Sequence, residues 1–306
     1  MPPRHQGPGG GVISRRQIWG LVALTLMWGI NWPMMKYSLR EISPLYFRAL
    51  TMSFGALWLF SYYRLKGVRM WPQPAEWRSI MILGLPNMLG WHTLSILGVK
   101  ELASGRAAIL GFTMPIWTVL LGVLLFKEKL TQRLVFAMVA VALTIGLLTF
   151  NELTALSGKP LGIVWMELAA LCWAAGTLMM RRMHLTIPME TLTVWMLVLA
   201  SVCLWVFAAA LEPWPSWQFS APVWGSLAYG ALINYGFAQV IWFGMARHLP
   251  PSTSAMSVMA VPLVGTLSAT LIVNEVPGWP DLVAVLCVMV AIAAVLLPPR
   301  TPAKIP

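Results

Sequence analysis

The sequence predicts an all-α integral membrane protein of ten transmembrane helices, arranged as two inverted five-helix repeats around a central cavity. Three observations carry that prediction. Hydrophobic residues make up 58% of the 306 positions and charged residues only 10%, whereas a soluble domain carries roughly a quarter charged. Apolar runs near the ~20 residues needed to cross ~30 Å of hydrocarbon recur along the whole chain. The chain also repeats itself: AAILGFTMPIWTVLLGVLLFKEKLT (107–131) is answered by SAMSVMAVPLVGTLSATLIVNEV (254–276). Pro115 and Pro262 stand 147 residues apart, as do Glu128 and Glu275, and GWHTLSILG (90–98) matches GFAQVIWFG (236–244) at an offset of 146.

Taken in order, residues 1–16 form a Pro/Gly-rich segment without apolar periodicity, expected to be a disordered cytoplasmic tail. The first apolar run covers 17 to about 38. A secretory signal is the competing reading, but the run is too long for a signal core and lacks a small-residue cleavage site. Further spans are expected at about 43–65, 78–98, 104–126, 133–151, 160–181, 189–211, 222–246, 252–274 and 279–298. Five of the ten fall in a first repeat (17–151) and five in a second (160–298), followed by a cytoplasmic tail at 299–306. The connections are short, which leaves no room for a separate catalytic domain. Helix packing must therefore supply the tertiary structure, and small-residue clusters such as Ala169, Ala170, Ala174, Ala175 and Gly176 permit close backbone approach.

Basic residues orient the chain. With the N-terminus cytoplasmic, fifteen of the 21 Lys and Arg residues fall at inside ends and five (Lys36, Arg40, Lys100, Arg106, Lys159) at outside ends, with Arg48 left inside a span. Both termini are thus expected in the cytoplasm. The net charge of +11 belongs to this asymmetry and to the lipid bilayer, and nucleic acid is not expected as a partner. Trp19, Trp71, Trp77, Trp214, Trp217, Trp224 and Trp279 lie near span ends, where amphipathic rings favour the interface. Cys172, Cys203 and Cys287 sit in apolar runs and form no disulfide or metal-binding pattern.

An odd number of helices per repeat makes the halves inverted. Inverted halves can exchange conformations and expose one central site to either side, which favours a carrier over a symmetric channel.

MWGINW (27–32) in the first span, Pro44 and Arg48 in the second, Pro115 with the Glu128 turn in the fourth and CWAAGTLMMRR (172–182) in the sixth resemble the EamA-type branch of the drug/metabolite transporter superfamily. The resemblance spans about 17–298. It implies a cavity lined mainly by helices one, three, four, six, eight and nine, with helices five and ten at the periphery or at a homodimer contact. It also implies transport of small organic metabolites, often amino acids and usually outward. The expected function is a secondary transporter exporting such solutes across the cytoplasmic membrane, acting as a monomer or homodimer.

Polar groups at membrane depth are the candidate functional residues. Trp28, Asn31 and Trp32 share one face of helix one by i, i+3, i+4 spacing, just before Pro33 interrupts the hydrogen-bond ladder. Tyr235, Gln239 and Trp242 follow i, i+4, i+7 in helix eight, with Asn234 alongside. His92 and Trp173 complete the expected substrate-binding set, and Trp91 and Trp117 add aromatic surface suited to a solute with an apolar portion. Each of these has a plainer reading as a packing residue. Glu167, the only carboxylate well inside a span, lies ~10 Å below the outer surface at 1.5 Å per residue. It is the candidate for proton coupling or for contact with a substrate amine, against a packing role. Pro33, Pro115, Pro262, Glu128 and Glu275 are expected to be structural or gating positions. No phosphate-binding loop, metal-ligand spacing or nucleophile with matching base is present. No cofactor is expected, and an intramembrane enzyme built on Glu167 and His92 is the weakest alternative.

Overall fold

The computed structural model describes residues 14–154, 158–246 and 251–297, and their regular structure is all helical. The tail segments 1–13 and 299–306 lie outside the described residues. The first helix, α1, spans Arg15–Ser38 and starts two residues before the expected run because Ser14 and Gln17 form a reciprocal capping box. Then come α2 (Pro44–Leu65), α3 (Trp77–Gly84) and α4 (Trp91–Glu101), α5 (Ser104–Gly111) and α6 (Met114–Phe126), and α7 (Gln132–Thr154). The second repeat holds α8 (Leu161–Arg182), α9 (Met189–Leu211), α10 (Ala221–Ala228) and α11 (Ala238–Ala246), α12 (Pro251–Ile272) and α13 (Trp279–Leu296). A π-helical stretch joins α3 to α4 (Leu85–Gly90) and another joins α10 to α11 (Tyr229–Phe237). They occupy corresponding places in the two repeats, and such wide turns mark functional positions in helices.

Seven of the described helical runs are long and apolar enough to cross a membrane, with Met259–Ile272 as a shorter apolar helix. This is fewer than the ten expected. α2 has the length, but Arg48 and its tyrosines lower its hydropathy; Asn234, Tyr235 and Gln239 do the same for the run from α10 to α11. Large apolar side chains such as Phe54, Leu57, Phe136, Leu143, Phe150, Val206 and Leu286 are exposed on the outside of the bundle, the surface a lipid environment requires.

The paired prolines act differently. Pro115 follows a break in which Phe112 and Thr113 separate α5 from α6, whereas Pro262 lies within the continuous α12. The paired turns do correspond. Lys127 and Asn274 both take left-handed φ (56° and 59°), and the next residue's N–H reaches back six positions, Glu128 to Gly122 (3.3 Å) and Glu275 to Ala269 (3.2 Å).

The most extensive packing is between repeats: α1 against α12, α2 against α9, α4 and α6 against α8, and α7 against α13. At one end of the bundle, carboxylates cap helices of the opposite repeat, supplying acceptors for the N–H groups that a helix start leaves unpaired. Glu212 accepts from the N–H groups of Leu45 (3.0 Å) and Tyr46 (3.2 Å) at the start of α2. Glu275 accepts from the N–H (2.6 Å) and hydroxyl (2.7 Å) of Ser104 at the start of α5. Glu41 does the same for Ser220 before α10 (2.7 and 2.6 Å). Those bonds hold the Glu41 carboxyl below the usual carboxylate range, so its cap is present at neutral pH and is lost on acidification through that lowered value. At the same end Arg106 bridges Glu152 and Asp281. Lys36 donates to the terminal carbonyls of Val99 (2.8 Å), Lys100 (2.9 Å) and Leu102 (2.8 Å). At the other end, among the described residues, Arg182 pairs with Glu128 (2.8 Å), Arg133 donates to the Leu297 carbonyl (2.8 Å), and Thr191 and Trp195 donate to the carbonyls of Arg69 and Met70.

α1 meets α12 at Gly29, where a methyl group would run into the Val264 side chain and come within 3.2 Å of the Gly265 nitrogen. Overpacking of this kind costs about 1–3 kcal/mol. Gly29→Ala should therefore lower the thermal unfolding midpoint in detergent. Gly146→Ala, in α7 with nothing within 4 Å, should leave it unchanged or raise it.

Candidate functional site

A cavity of about 130 Å³ lies between the repeats. It is smaller than the ~300–1,000 Å³ of sites for drug-sized ligands, which suits a compact solute. α1 contributes Trp28, Asn31, Trp32 and Met35; the first π stretch and α4 contribute Met88, Trp91 and His92; Phe112 and Met114 flank the α5–α6 break. From the second repeat come Trp173 of α8, Thr193 and Leu197 of α9, Asn234 and Tyr235 of the π stretch, and Gln239 of α11. Arg48 of α2 completes the wall.

Trp28, Asn31, Trp32, His92, Trp173, Asn234, Tyr235 and Gln239 are thus brought together as lining residues. Trp242 is not among them; its ring packs on Trp28 at 5.6 Å, behind the wall. No described side chain of α12 lines the cavity, while α2 and α9 do, a departure from the lining that the family resemblance implies. Trp91 lines it as the expected aromatic surface, Trp117 does not, and Arg48, Met35, Met88, Phe112, Met114, Thr193 and Leu197 were outside the expected set. For Arg48 a signal existed, a lone cation inside an apolar span.

The polar centre is a chain of hydrogen bonds between repeats. Arg48 donates to the Tyr235 hydroxyl (Nη1 to Oη, 3.0 Å) and to Ser95 (Nη2 to Oγ, 3.1 Å). The Tyr235 hydroxyl lies 3.0 Å from His92 Nδ1. Arg48 and His92 thus meet at one hydroxyl, with the imidazole tautomer setting the direction of the Tyr235–His92 bond. All three residues are buried, with Arg48 and Tyr235 each 3% exposed. The arrangement depends on close backbone approach: a side chain at Gly55 of α2 would collide with Tyr235 Cβ, and one at Gly230 would come within 2.9 Å of Thr51.

Aromatic rings form the rest of the wall. Trp32 meets Trp91 edge-on at 6.5 Å and Phe112 at 6.4 Å, and Trp91 meets Trp173 at 5.4 Å. These tilted and edge-to-face geometries suit ring quadrupoles and fix the wall's shape.

Glu167 does not line the cavity. It faces the α5–α6 break, where Oε2 accepts from Trp117 Nε1 (2.8 Å) and Thr113 Oγ1 (3.2 Å) while Oε1 is buried without a partner. Pro33 lies within α1 and Pro262 within α12; Pro115 opens α6. Glu128 and Glu275 both bond to the opposite repeat, one to Arg182 and the other to Ser104.

Comparison with known proteins agrees with this architecture. An uncharacterized transporter, YoaV, of Bacillus subtilis is 28% identical over 263 residues, covering 84% of this chain and 88% of its own. An uncharacterized inner membrane transporter, YedA, of Escherichia coli K12 is 23% identical over 90% of this chain and 89% of its own. A protein of known crystal structure superposes with a TM-score of 0.64 over 92% of this chain and 96% of its own at 20% identity, a likeness of fold. The model of the EamA-like transporter family matches twice, over residues 15–150 and 160–297, one match per repeat, and the chain belongs to that family.

Proposed function

We propose that this protein is a secondary transporter that exports a compact organic solute, with amino acids and related metabolites as the leading class, across the cytoplasmic membrane by alternating access. The observation that carries the reading is the cavity itself, whose walls come from both repeats of a transporter-family chain. The name of the Escherichia coli relative supports an inner-membrane location. Ten spans with both termini inside follow if α12, α2 and the run from α10 to α11, each of spanning length, cross the bilayer together with the seven apolar runs.

Under this topology Glu275 and Glu128, equivalent in the repeats, occupy opposite membrane faces, as inversion requires. The end closed by Glu41, Glu212, Glu275 and Arg106 carries few basic residues and is the outer one. Opening to the outside then means releasing those caps while the ties near Arg69 and Arg182 tighten. Glu167 touches the α5–α6 break rather than the solute path, so a proton on it would act through Thr113 and Trp117.

Purified protein in liposomes should move solute by a saturable process without ATP; single-channel currents, or conversion of the solute, would contradict the proposal. Asn31→Ala and Gln239→Ala remove hydrogen-bonding groups from opposing walls and should each reduce flux about tenfold, the weight of ~1.4 kcal/mol, with folded yield retained. Flux equal to the parent's in both would move the binding wall elsewhere.

Glu167→Gln keeps the shape and removes the titration. Flux should lose its dependence on an imposed pH gradient, while exchange driven by solute gradients persists. A parent protein indifferent to the pH gradient would assign Glu167 to packing.

A further inference from the structure

Arg48 is the cavity's unanswered charge. Its guanidinium, 3% exposed, uses one N–H toward Tyr235 and one toward Ser95, and Nε has no partner. It takes part in none of the ion pairs among the described residues, and no carboxylate lines the cavity. A guanidinium is a permanent cation with a planar fork of donors that matches a carboxylate. Buried without a counter-charge, it is costly. A site that keeps such a group open to a cavity has its counter-ion delivered by what enters.

Resting on the transport reading above, we propose that the cavity recognises an organic solute through a carboxylate bound to Arg48, with the solute's apolar body held among Trp28, Trp32, Trp91 and Trp173. His92, hydrogen-bonded to the same Tyr235 hydroxyl, adds its imidazole to this polar wall. One cation suits a monoanion, whereas a phosphate dianion calls for more positive charge than this wall holds. An inorganic anion would leave the indole surfaces without a partner. A cationic amine meets a buried positive charge with no acid to offset it. Zwitterionic amino acids qualify through the carboxylate, and their ammonium is left to the amide oxygens and ring faces.

The test is thermal unfolding of the full-length protein in detergent, titrated with three probes of similar shape: phenylacetate, phenylacetamide and 2-phenylethylamine. Phenylacetate should raise the unfolding midpoint saturably, because a ligand that binds only the folded state stabilises it by mass action. Its half-saturation should fall at least about tenfold below that of the amide, a difference of ~1.4 kcal/mol, and the amine should not stabilise. Arg48→Gln should erase the preference for acid over amide, and Arg48→Lys should keep it in weaker form. Equal binding of acid and amide, stabilisation by the amine, no stabilisation by any probe, or a preference that survives in Arg48→Gln would each overturn the proposal. Should Arg48→Gln fail to fold, the parent's response to the three probes decides alone. Solute flux in liposomes without acid preference would sink this inference and leave the transport reading standing; acid binding without flux would do the reverse.

Discussion

Backbone groups left unpaired at helix ends and breaks must find partners elsewhere in the chain, and this constraint shapes the molecule. Three helices that begin at one end of the bundle receive their acceptors from Glu41, Glu212 and Glu275, each in the opposite repeat to the helix it caps. The carbonyls ending α4 find theirs in the ammonium of Lys36. Each repeat thus supplies acceptors for helix starts of the other. The same bonds are few, polar and located at one end. A structure held this way can release that end without disturbing the apolar packing of α7 on α13 or α2 on α9, in the manner of packed elements with two discrete arrangements.

The cavity sits where regular helix is interrupted. Both π stretches border it, carrying Met88 in one repeat and Asn234 and Tyr235 in the other, and the α5–α6 break supplies Phe112 and Met114. Irregular backbone at this depth is tolerated where protein or a cavity surrounds it. In this protein the interruptions turn polar and aromatic side chains inward. Gly55 and Gly230 then let α2 and the second π stretch close to contact, which seats Arg48 against Tyr235.

Much of this was legible from residue spacing. Trp28, Asn31 and Trp32 share a face because α1 is regular there, and the repeat offset paired the turns at Glu128 and Glu275, each of which follows a left-handed residue. Trp242 falls outside the lining for a definite reason: its i+7 relation to Tyr235 assumes 3.6 residues per turn, and Tyr235 lies in a π stretch with a wider turn. Arg48 could be seen as an isolated charge but not as a wall residue, since its position depends on glycine contacts between helices far apart in sequence. Proline spacing could not tell that Pro115 follows a break while Pro262 does not. The depth of Glu167 was legible but its facing was not, and its bonds to Trp117 and Thr113 turn it toward α6.

The central claim is that one cavity between the repeats is exposed in turn to each side of the membrane. Its most direct measurement uses Asn31→Cys in a background with Cys172, Cys203 and Cys287 changed to Ser, reconstituted in one orientation and treated with a membrane-impermeant thiol reagent from either face. The account predicts modification from both faces, slowed from both by saturating transported solute. Modification from one face alone, whatever the direction of the solute gradient, would contradict it.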